Sequence, residues 1–121
     1  MKYYLVIIAM CLSFTTWAQK EAELVQITRE GLAQPASVQY RVDEKLLQID
    51  SLLIPCSKNS VPRLKKENNS YLVEFFLQHN TAIRNTNDAN FRRAWVALPF
   101  HSSDAAKKFI VAFQRISYNH R

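Results

Sequence analysis

Only one glycine, Gly31, occurs in 121 residues, and that scarcity limits the fold more than any other feature. Loops that cradle phosphate bring backbone N–H groups close to the ligand through glycines, and one glycine cannot build such a loop. Nucleotide binding of that kind is excluded. Turns that need a positive φ must fall on other residues, and asparagine tolerates that region best after glycine. Asn59, Asn68, Asn69, Asn85, Asn87 and Asn90 stand where the pattern wants turns and are expected to make them.

Between the turns the chain reads mostly with a period of two. Val38–Val42 alternates as a half-buried strand does, Asp43–Lys45 is a polar turn, and Leu46–Asp50 with Leu52–Ile54 returns as a hairpin. The segment from Pro55 to Pro62 reads as a loop, and Arg63–Asn69 as a charged turn. Tyr71–Gln78 is the clearest strand, with Tyr71, Val73, Phe75 and Leu77 on one face and Leu72, Glu74, Phe76 and Gln78 on the other. Asn85–Asn90 turns the chain into a further strand, Phe91–Phe100, whose core face is Ala94, Val96, Leu98 and Phe100.

The period then changes. Ser102 or Ser103 caps a helix, Asp104 meets its positive end, and Ala105, Phe109, Ala112, Phe113 and Ile116 make one apolar stripe. Near the start, Lys20–Glu30 reads as a short helix ending by Gly31, with a strand as the alternative. The expected architecture is α+β: an antiparallel sheet or small partly open barrel, followed by one C-terminal amphipathic helix packed on it.

Residues 1–18 carry a different message. Lys2, the apolar run Tyr3–Leu12 and a small residue at Ala18 have the layout of a secretory signal peptide cut after Ala18. A membrane anchor needs about 20 predominantly apolar residues, and this run fades at Ser13, Thr15 and Thr16. Acylation at Cys11 would follow the bulky Met10, which such sites disfavour. Cleavage leaves residues 19–121 as one small α+β domain without a stable membrane anchor. It is expected to be exported to the periplasm or envelope, or secreted. Loss of Lys2 lowers the net charge from +6 to +5, within the range that favours solubility. Cys11 leaves as well, so Cys56 stands alone with no intrachain disulfide available. Its apolar upstream neighbours Leu52–Ile54 point to a buried thiol.

Catalytic equipment is sparse. His101-Ser102-Ser103-Asp104 places a hydrolase's residue types side by side, but a triad needs them brought together in space, and capping already accounts for the Ser and Asp. His79, His101 and His120 lack metal-ligand spacing, and Glu74 has no second carboxylate with which to work. No catalytic residue, metal or cofactor is expected. The most suggestive binding feature is Arg92-Arg93-Ala94-Trp95. Arg93 and Trp95 alternate along a strand, where guanidinium and indole can stack. Joined by Lys65, Lys66, Lys107 and Lys108, they would form a basic and aromatic patch. Nucleic acid is not an expected partner, because the charges are spread in pairs rather than clustered.

The run VALPFHSSDAAKKFIVAFQRIS, from Val96 to Ser117, resembles the C-terminal part of pleckstrin-homology-like domains of small exported bacterial proteins. There a strand leads directly into a capped helix, and Asp104, Ala106, Phe109, Ala112 and Phe113 are the matching positions. The resemblance spans about residues 38–118 and implies a binding module with no enzymatic activity. Phosphoinositide binding is not implied, since only Arg41 and Lys45 flank Asp43 and Glu44 in the early hairpin. The expected function is protein interaction at the envelope. The alternative is binding of a polyanion or anionic lipid surface, and an undescribed hydrolase at His101 ranks third.

Overall fold

The structure, a computed structural model, describes the backbone from Thr16 to Asn119 and side chains from Gln19 to Tyr118. Helix α1 (Thr16–Gly31) leads into strands β1 (Val38–Arg41), β2 (Leu46–Ile49), β3 (Leu52–Pro55), β4 (Ser60–Glu67) and β5 (Ser70–Leu77). Strands β6 (Ile83–Asn85), β7 (Asp88–Arg93) and β8 (Trp95–Phe100) follow, then helix α2 (Ser103–Asn119). The fold is α+β. Two antiparallel sheets, ordered β1-β2-β3-β6-β7 and β4-β5-β8, do not close into a barrel, and α2 packs on the three-stranded one.

The alternation of β5 explains why α2 lies where it does. Val73 and Phe75 are fully buried, and they meet the α2 stripe of Ala106, Phe109, Ala112, Phe113 and Ile116. Phe75 stands edge-on to Phe109 at 5.8 Å and to Phe113 at 4.9 Å, and Phe100 lies 5.0 Å from Phe109. Each such ring contributes about 1.5–3 kcal/mol by burial, and each pair about 0.5–1.5 kcal/mol more. Val38, Leu47, Ile49, Ile54 and Ile83 of the five-stranded sheet complete the same core.

Four expectations are corrected. The helix expected over Lys20–Glu30 is longer, running 16 residues from Thr16 to Gly31, and it packs against α2. It crosses the expected cut at Ala18, and among its described side chains Leu24 and Thr28 are buried. Arg63–Glu67 is not a turn, because β4 begins at Ser60 and includes Pro62. Pro62 is tolerated because β4 is an edge strand, paired only with β5, so its missing N–H costs no second ladder. Phe91–Phe100 is not one strand. It bends at Ala94, which is exposed, and the two halves join different sheets.

The turns hold the fourth correction. Positive φ falls on Lys45, Asp50, Asn68, His79 and Asn80, so of the six expected asparagines only Asn68 adopts it. The turn expected over Asn85–Asn90 narrows to Thr86-Asn87 between β6 and β7, and side-chain bonds brace it instead. Asn85 Oδ1 accepts from the Asn87 N–H at 2.8 Å, and Asp88 Oδ1 from the Asn90 N–H at 3.0 Å. Gly31 makes no turn either. A Cβ there would stand 2.9 Å from the Phe100 ring, so the glycine serves close approach of α1 to β8.

Candidate interaction surface

The three-stranded sheet buries one face under α2 and turns the other outward. Cross-strand register puts three rows on that outer face: Val61, Phe76 and Trp95; Arg63, Glu74 and Ala97; Lys65, Leu72 and Pro99. Trp95 is 47% exposed and Phe76 37%, large values for aromatic side chains. Among the described residues, no element covers them.

The exposed rings are fixed in place. The Trp95 indole Nε1–H donates to Glu74 Oε2 at 2.8 Å, and the Arg63 guanidinium lies 5.3 Å from the Phe76 ring centre. Lys65 Nζ stands 4.0 Å from Glu74 Oε1 and 3.8 Å from Glu67 Oε2. Only 13% of the Glu74 side chain reaches solvent. The residue considered as an isolated acid in an apolar strand is thus the anchor that orients an exposed tryptophan. Side chains held this way lose little further entropy on binding.

The expected patch is distributed over several surfaces. Arg92 lies on β7 and Trp95 on β8, in separate sheets. Arg93 stacks 5.1 Å from Phe91 rather than on Trp95. Lys65 belongs to the outer face just described, whereas Lys66 alternates to the other side and lies 5.8 Å from the Tyr71 ring. Lys107 and Lys108 line a groove of about 490 Å³ between α1 and α2, together with Glu23 and Arg115. Of the seven, only Lys65 joins Trp95 on its face, and Phe76, Arg63 and Glu74 complete it. Alternation along Tyr71–Gln78 had already put Glu74 and Phe76 together. Their pairing with Trp95 rests on strand register, which no local pattern specifies.

Other chemistry is held in structural roles. Ser102 is the N-cap of α2, since its Oγ accepts the Ala105 N–H at 3.1 Å. His101 is exposed, and its backbone N–H donates to the Gly31 carbonyl at 3.0 Å. Exposed His79 occupies a turn with φ 54°, while His120 lies outside the described residues. No group of three His, Cys, Asp or Glu side chains arranged to hold a metal occurs among the described residues. Cys56 is 1% exposed, and burial pushes its thiol well above the ordinary range. Tyr40 is pushed up as well, first by burial and then by the neighbouring Cys56. A recess of about 660 Å³ between α1 and β1 mixes Glu21 and Glu30 with Arg29. Arg29 already donates to the Val38 carbonyl at 3.1 Å. No helix among the described residues is long and apolar enough to cross a membrane. Compared with known protein families, curated proteins and solved structures, the chain matches none.

Proposed function

We propose that this chain is an exported, non-enzymatic protein-interaction module of the periplasm or cell envelope, and that it binds through the outer face of β4-β5-β8. The observation that carries this reading is Trp95, half exposed and held by Glu74 beside the directly opposite Phe76. Binding energy at interfaces concentrates in tryptophan, tyrosine and arginine, and this face presents Trp95 and Arg63 beside Phe76. Export rests on the layout of residues 1–18 alone. The likeness to pleckstrin-homology-like domains supports a binding role through the strand-to-capped-helix order of β8 and α2.

The polyanion reading requires the basic side chains to act together, and their spread over separate faces weighs against it. Heparin chromatography separates the two. Weak retention, unchanged by Arg92→Ala with Arg93→Ala, accords with the protein-interaction reading. Retention that falls steeply with salt and drops in the double variant supports the polyanion instead.

A further inference from the structure

We propose that Arg84 and Arg92 form a binding site for one dianionic oxyanion group, a phosphate monoester. Strands β6 and β7 pair Ile83 with Arg93 and Asn85 with Asp88, with a register shift between. One regular step from the Ile83–Arg93 pair sets Arg84 against Arg92 just before the shift, and both line one recess of about 220 Å³. Like charges placed opposite each other across a sheet destabilise it. Among the described residues, no acidic side chain lines the recess and none makes an ion pair with either arginine. Bulges of this kind commonly re-aim side chains beside functional sites.

The surroundings suit an anion. Leu53 and Pro55 line the recess beside the two exposed arginines. Asn80 and Thr81 stand at the rim with side-chain donors, brought there by the consecutive left-handed residues His79 and Asn80. Pockets for drug-sized ligands run to about 300–1,000 Å³, so this recess takes a headgroup and not a large molecule. Two guanidinium groups match a dianion in charge and can each offer paired N–H donors. The site lies on the five-stranded sheet, apart from the Trp95 face, and does not depend on the function proposed for that face.

Titration of the purified protein with inorganic phosphate, followed by NMR of the arginine Nε–H signals, tests the assignment. Saturable shifts at Arg84 and Arg92 are expected, with affinity falling about tenfold or more in Arg84→Gln and in Arg92→Gln. Arg93→Gln, on the other side of the same strand, should bind as the parent does. Without phosphate, Arg92→Gln should melt at or above the parent temperature, because a repulsion is relieved. Repeating the titration with a soluble phosphate monoester and with phosphatidate vesicles against phosphatidylcholine vesicles distinguishes a free ligand from a membrane headgroup. Non-saturable shifts spread over all cations, or an equal loss in Arg93→Gln, would overturn the site.

Discussion

At the scale of single residues, Gly31 shows how a side chain's absence carries information. Alanine is normally about 1 kcal/mol better than glycine inside a helix, so propensity alone makes Gly31→Ala a stabilising change. The added Cβ would meet Phe100 at 2.9 Å and Ala105 at 3.4 Å, where the end of α1 is stitched to β8 through Ala33 N–H to the Pro99 carbonyl. Overpacking of this kind costs about 1–3 kcal/mol. Gly31→Ala should therefore lower the urea midpoint, and a raised midpoint would show that Phe100 gives way. Cys56 makes a second residue-scale prediction. Its folded thiol titrates above its unfolded value, so its contribution is intact below the unfolded pKa and declines as pH rises past about 9. The slope is about 1.4 kcal/mol per pH unit for one proton. Denaturant melts from pH 8 to 10 should show the decline, and Cys56→Ala should flatten it. The native thiol should also resist a thiol reagent until the chain unfolds.

At the scale of elements, α2 is the part most dependent on its apolar stripe. Phe109→Asp or Phe113→Asp would bury an unpaired charge against Phe75 and should abolish cooperative unfolding. Val111→Asp, on the exposed face of the same helix, should leave the melt within about 0.5 kcal/mol. Circular dichroism melts check both, and a cooperative Phe109→Asp variant would mean that α2 does not cover the core. The stripe, the Ser102 cap and the Tyr71 strand were legible in the sequence because each is a local pattern. What escaped depends on partners. Nothing local announces that Pro62 sits on an edge or that the chain bends at Ala94. The left-handed turn positions at Lys45 and His79 were missed because the geometry of the flanking strands overrode residue preference.

At the scale of the whole molecule, the two sheets divide the work. Inner faces and helices form one core, while the outer faces present Trp95 with Phe76 on one sheet and Arg84 with Arg92 on the other. The candidate site was half legible. Trp95, Glu74, Phe76 and Lys65 each drew notice, but only the pairing of β4, β5 and β8 assembles them, and pairing is a long-range property. Placing a photoreactive residue at Ala97, on the outer face beside Glu74, and in parallel at Val111 on α2 tests the central claim most directly. Irradiated in envelope extract at high salt, the Ala97 probe should give one discrete protein adduct that disappears when Trp95→Ala and Phe76→Ala are added. The same adduct from Val111, or an Ala97 adduct indifferent to those two substitutions, would contradict the outer sheet face as the binding surface.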